Sequence, residues 1–562
     1  MVRKLPAGVA EASFAKAIAA FQAAIGKDWV FTSDEDLETY RDAYSLRWDD
    51  PDEYRASAAV APDSVEQVQA IVKIANTYKI PLYPISTGKN LTYGGPAPSY
   101  TGSVVLDLKR MNKVIKVDDK RNFALVEPGV SYFDLYRHIK ERGLKVWIDC
   151  PDPGWGSPVG NSLDHGIGYT TSPFRDHFGS HCGMEVVTPT GEIMRTGMGA
   201  LPGADSWQDY RYGVGPYVDG LFAQSNFGIV TKMGFWLYPQ PEAWGAATVS
   251  IPNYSDFGPL IEQVSYLEDS HLMTGQVVYS SPMAPAPGGP PDPAFQALMA
   301  DGWPSDDRIE AYVKAKGGPA FRAKLQFYGP EPTIRANWDY AQKRIAAAIP
   351  GATFKLDELL PMPLTPEQEK THHLVNFGVP NMAIFAMISR RPTDPPNPPD
   401  GHVDLLAMLP RTAEAVRKAQ RVLHETQRQL GEPATVHPFG GPITWYHRAF
   451  LIGAPSLPNY RDDREKNRRQ RLIYETMLKN LAAAGFGLYR TNVAMQELLV
   501  SQYSYGDHAL MKFWEKLKDG IDPNGIVSPG RYGIWPKRLR QPRGAAPAAA
   551  KAKGAPAKGK AK

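Results

Sequence analysis

The chain has 562 residues, 63 of them basic and 59 acidic, with 43% apolar and 22% charged side chains, so it predicts two or three folded domains and excludes a disordered chain. Its two cysteines, Cys150 and Cys182, exclude a disulfide framework, a four-cysteine zinc site and a cysteine-ligated iron–sulfur cluster. Nine of the basic residues lie beyond Pro536 in an Ala/Pro/Gly/Lys tail without acids; the remaining 54 basic and 59 acidic groups form no nucleic-acid surface.

In chain order, Phe14, Ile18, Phe21 and Ile25 recur at helical spacing and predict an amphipathic surface helix. Pro6, Gly8, Glu11 and Lys16 break the same stretch too often for a secretory signal, and no run of eighteen apolar residues follows anywhere. The expectation is a cytoplasmic protein with no membrane span. Ser64 and Gln67 form a capping-box pattern ahead of an apolar face at Val65, Val68, Ile71, Val72 and Ala75. Short strands are expected at 80–86, 103–108 and 123–130, a helix over 131–144, and a hairpin over 184–196 turning at Pro189–Gly191. Proline clusters at 282–293 and 392–399 mark a change of texture, with longer helices expected at 414–430 and 462–484. The predicted fold class is α+β, with residues 1–245 and 486–536 forming one domain, 246–485 a second, and 537–562 a disordered basic tail.

Four local patterns carry chemistry. The stretch PISTGKNLTYGG (84–95) follows a strand with small residues whose amides can surround an anion, although it is neither a Walker A loop nor GxGxxG. Taken alone, such a turn more often serves structure than a ligand. Asp176, His177, His181 and Cys182 have metal-like spacing but lack the glutamate of HExxH, so they predict a structural or cofactor-lining group and no metal. Tyr489–Arg490 offers a phenol beside a permanent cation, suited to an anionic oxygen or to an ordinary strand contact. Asp152 sits in a Pro/Gly-rich turn where capping is the plainer role.

Together, PISTGKNLTYGG, VEPGVSYFDLY, DCPDPGWGSPVGN, HGIGYT, GMEVV, RTGMGALPG, GPYVDGLFAQSNFGIVTKMG, YRTN and DPNGIVSPGRYGIWP resemble the vanillyl-alcohol oxidase and p-cresol methylhydroxylase flavoprotein family, and most of all its eugenol-oxidising members. The resemblance implies a two-part FAD-binding domain with an inserted α+β cap that covers the flavin. It implies oxidation of para-substituted phenols at the benzylic carbon, by hydride transfer to the flavin through a p-quinone methide that then adds water or desaturates. Residue by residue, Pro84, Ile85, Ser86, Thr87, Gly88, Lys89 and Asn90 match the pyrophosphate loop. Ser157, Gly160, Asn161, Gly228 and Ile229 match flavin-lining stretches, and Arg531 a basic residue near the flavin. Tyr93, Tyr489 and Arg490 match the trio that holds the phenolate, and Asp152 the acid that deprotonates water. Ile167 and Tyr169 match pocket positions, and Tyr446–His447 replace a His–His pair.

The resemblance also implies FAD attached through His402, although the FSP that usually follows is LAM here; the alternative tyrosine anchor position holds Ile388. No histidine precedes His138, so the N-terminal histidine that assists attachment in some members has no counterpart. Dioxygen is the expected electron acceptor, with a cytochrome c partner as the alternative, and a homodimer or larger homo-oligomer is expected.

Overall fold

The computed structural model describes residues 4–285, 290, 292–385, 400–433, 435–446, 448–453 and 456–540. Its N-terminal part contains a four-stranded sheet in the order Val30–Phe31, Ala58–Val60, Val104–Asp107, Leu82–Ile85. The first pair is antiparallel and the others are parallel. The helix Glu11–Ile25 buries Phe14, Ala17, Phe21 and Ile25, and the helix Val65–Tyr78 buries Val68, Ile71, Val72 and Ala75 into the same core. Ser64 caps the second helix by accepting from the Gln67 amide. Parallel strands must be joined by crossovers, and the 65–78 helix supplies one of them.

A second, antiparallel sheet has the order Val114–Asp118, Phe123–Val126, Ile229–Trp236, His181–Val187, Ile193–Arg195. The expected hairpin is its last pair. The helix Tyr132–Glu141, opened by a Ser131–Asp134 capping box, packs beside it.

The inserted domain is built on a seven-stranded antiparallel sheet, ordered Thr353–Pro361, Ala243–Ile251, Phe321–Gly329, Val278–Ser280, Ile443–Trp445, Ala449–Gly453, Leu406–Leu409. The helices Phe257–Asp269, Glu331–Ala348, Ala413–Gln429 and Arg464–Ala483 bury their apolar stripes in the largest core of the molecule.

The cap begins earlier than the 246 boundary, because Ala243 already pairs with Gly329 and Pro361. It also ends later than 485: the Met408 amide donates to the Gly487 carbonyl and the Tyr489 amide to Leu406. The chain then returns to the first sheet, where Leu82 bonds with Ile526 and Ser528. Buried Lys518 fastens this return, with its ammonium 2.7 Å from Asp522 and donating to the Asn226 and Val527 carbonyls. Residues 537–540, assigned above to the tail, also pack onto the body: the Arg540 guanidinium lies 2.8 Å from Asp519. Positions 541–562 lie outside the described residues.

Candidate active site

The strand Leu82–Ile85 delivers the glycine-rich loop to one wall of a solvent-open cleft of about 1200 Å³. Pro84 through Asn90 all line it, as do Ser157, Gly160, Asn161, Gly228, Ile229 and Arg531. Gly88 adopts φ +67°, a left-handed turn that a side chain resists. A Cβ on Gly160 would stand 2.1 Å from Ser86 Oγ, so the loop and the short helix Pro158–Leu163 touch only because that position is glycine. Ser157 caps this helix and donates its own hydroxyl to the Pro128 carbonyl. The amides of Thr87, Gly88 and Lys89 donate to no partner among the described residues, which leaves a run of free N–H groups suited to a pyrophosphate. These features fit FAD.

Tyr93, Asp152 and Arg490 line the same cleft. The Arg490 guanidinium lies 4.0 Å from the Tyr93 ring centroid and 4.7 Å from that of Tyr489. The two phenol rings meet edge-on at 6.0 Å. Burial pushes both hydroxyls above the ordinary phenol value, and Arg490 pulls each of them back down. Burial opposes the charge on Arg490, but Tyr489, Tyr93 and Asp164 outweigh it and keep the guanidinium protonated. Tyr489 Oη and Arg490 Nε are both buried without a hydrogen-bond partner among the described residues. A buried cation beside an unsatisfied phenol hydroxyl is suited to an anionic oxygen.

Ile167 and Tyr446 join Tyr93, Tyr489, Trp445 and Leu451 in one apolar cluster behind this trio. Tyr169 stands instead beside Asp152, with its hydroxyl directed at the carboxyl group. His447 falls outside the described residues. His402 is buried on the strand Gly401–Val403, edge-on to Tyr44, with Nε2 3.4 Å from Asp404 and Nδ1 unpartnered. It is not among the residues lining the cleft.

The histidines of DHFGSHC are engaged with protein groups. His177 contacts Asp149, Asn161 and Tyr132, and through Asn161 it backs the cleft wall. His181 pairs with Asp219 and Tyr217.

Sequence reasoning missed two residues that touch the site residues. Asp164 receives Arg531 at 3.0 Å, Arg490 at 3.4 Å and the Asn90 amide at 2.7 Å, so one carboxylate ties the loop, the YRTN segment and the C-terminal return together. It sits at the C-terminal end of the helix Pro158–Leu163, where an acid opposes the helix dipole; that mismatch was the available signal. His373, delivered by the cap, has Nε2 3.9 Å from Asp152 and meets the Tyr169 ring edge-on. No local pattern marks it.

Comparison with known proteins bears on the family, the fold and the cofactor. A family model described as FAD binding domain matches residues 56–197. The 4-cresol dehydrogenase [hydroxylating] flavoprotein subunit of Pseudomonas putida is 33% identical over 94% of this chain and 97% of its own. The structure of 4-ethylphenol oxidase from Gulosibacter chungangensis superposes with a TM-score of 0.77 at 32% identity, covering 96% of this chain and 100% of that one. Substrate-bound p-cresol methylhydroxylase gives 0.76 at 30% identity, over 94% and 99%. The chain therefore belongs to the vanillyl-alcohol oxidase and p-cresol methylhydroxylase flavoprotein family. It is an FAD-dependent oxidoreductase with the fold of that family, a split flavin domain and an inserted cap.

Proposed function

We propose that the chain oxidises 4-alkyl- and 4-allylphenols at the benzylic carbon. The observation that carries this reading is the buried Arg490 guanidinium between the rings of Tyr93 and Tyr489, with Tyr489 Oη and Arg490 Nε left unpartnered. The two hydroxyls and the guanidinium hold the substrate oxygen as phenolate. Electron density pushed from that oxygen into the ring weakens the para-benzylic C–H bond. FAD, cradled by residues 84–90 and by Ser157, Gly160, Asn161, Gly228, Ile229 and Arg531, supplies the acceptor for the hydride. The substrate is then a p-quinone methide. Asp152, whose carboxyl is raised by burial against the pull of His373 and Tyr169, takes a proton from the water that adds to it. Ile167, Tyr169 and Tyr446 shape the space around the alkyl chain, which bears on the choice between water addition and desaturation.

Dioxygen as the acceptor of the electrons, FAD anchored through the unpartnered ring nitrogen of His402, a cytoplasmic setting and a homodimeric or larger assembly complete the proposal. A second reading passes the electrons to a protein such as a cytochrome c. It is favoured by the acid-free basic tail and by a relative named as one subunit of an assembly. The test of the activity is anaerobic titration with 4-ethylphenol. Bleaching of the flavin with one equivalent supports it, and an unchanged spectrum overturns it.

A further inference from the structure

The catalytic carboxylate is buried, and a proton it takes from water needs a way out. Asp152 Oδ1 has no hydrogen-bond partner among the described residues, and the side chain is 6% exposed. His373 is the group that reaches both sides: its Nε2 is 3.9 Å from Asp152 Oδ2, while its side chain is 51% exposed. The contact joins the two domains. Asp152 sits on the body's Pro/Gly turn, and His373 opens the cap turn Leu374–Phe377.

The cap segment is clamped where it meets that turn. The Gly154 amide donates to the Asn381 carbonyl at 2.8 Å, and a Cβ on Gly154 would lie 2.7 Å from Pro380. Tyr328 holds the Asn376 carbonyl at 2.9 Å, and His372 is engaged by Glu358 at 3.0 Å. His373 alone of the two adjacent histidines is aimed at Asp152.

We propose that His373 is the proton relay of the hydration step, carrying to solvent the proton that Asp152 takes from water. The inference rests on the phenol-oxidising reading above. Water oxygen bonds to the benzylic carbon of the quinone methide, and the ring electrons return to the phenolic oxygen as phenolate. One water O–H breaks, and its proton passes to Asp152, then to His373, then from the exposed face of the imidazole to bulk water. A half-exposed ring closes the remaining gap by a small rotation or through one water molecule. Desaturation also releases one proton, but from the carbon next to the benzylic one and with no water to be activated at Asp152, so a relay that empties Asp152 biases the outcome towards alcohol.

The experiment incubates FAD-loaded wild type, His373→Ala and His373→Gln with 4-ethylphenol and measures 1-(4-hydroxyphenyl)ethanol against 4-vinylphenol by chromatography. General-base steps contribute at least about a hundredfold, and with solvent as a partial substitute the alcohol-to-alkene ratio should fall about tenfold in both variants. Added imidazole should restore it in His373→Ala. A wild-type ratio in either variant, a lowered ratio that imidazole leaves untouched, or a wild type that makes no alcohol overturns the relay. A wild-type flavin that 4-ethylphenol fails to bleach overturns the phenol reading itself, and the relay falls with it.

Discussion

Arg490 lies over the ring of Tyr93, 4.0 Å from its centroid, although the two come from opposite ends of the chain. The contact exists because the glycine-rich loop leaves the first sheet beside the segment 489–492, on which the chain turns back from the cap. Asn492 fixes that approach by donating to the Thr92 carbonyl at 3.1 Å and to Asp42 at 2.9 Å.

Replacing Arg490 with Met removes the charge and keeps most of the volume. The variant should retain FAD, because Asp164 still holds the loop through Asn90 and still pairs with Arg531, while flavin reduction by 4-ethylphenol slows by roughly 100-fold or more. Anaerobic stopped-flow absorbance reads both. Reduction at the wild-type rate would remove Arg490 from the phenolate site.

Asp164→Asn addresses the carboxylate shared by Arg490 and Arg531. Its side chain is 5% exposed, and its loss leaves two largely buried guanidiniums without a counter-charge. Breaking a buried pair from one side costs about 3 kcal/mol, so the denaturant midpoint should drop clearly and bound FAD should dissociate more readily. A double variant with Arg490→Met should recover part of the loss, since one unpaired charge is gone. An unchanged midpoint in Asp164→Asn would make this contact incidental.

Much of this arrangement was legible in the sequence. The loop 84–95 and the hairpin at 189–191 are local patterns with local causes, and both stand in the structure; at Ser64 only half of the expected capping box forms, because the Gln67 side chain accepts from the Asp63 amide instead. The cap boundary slipped by a few residues because Ala243–Ile251 reads as a continuous strand and only its partners say which sheet it belongs to. Asp164 and His373 were illegible for a deeper reason. Asp164 acts through contacts with the far C-terminal segments, and His373 through one between the two domains. Neither spacing nor composition encodes such a contact; only the family resemblance reached across the chain, and it extends no further than the motifs that carry it.

His402 is the proposed flavin anchor, with Nδ1 buried and unpartnered. Acid precipitation of the wild type should leave the yellow colour in the pellet, and His402→Ala should release it to the supernatant while still binding FAD. Colour in the wild-type supernatant would show dissociable FAD and leave the fold unaffected.

The acceptor of the electrons is the last question, and the tail makes it testable. Six Lys and Arg residues and no acid follow Arg540, a charge pattern that steers an anionic protein towards the chain at low salt. The stop must come after Arg540, because Arg540 is held by Asp519 and Arg538 donates to the Asn524 carbonyl; a cut at Pro536 would disturb the body as well. The full chain and the truncated chain, both reduced anaerobically, should be mixed with air-saturated buffer and followed at the flavin absorbance. Rapid reoxidation of both, independent of salt, is the expected result and identifies dioxygen as the acceptor. If both instead reoxidise slowly, and an acidic cytochrome c accelerates only the full chain in a way that salt abolishes, the tail is a docking element and the chain is a dehydrogenase.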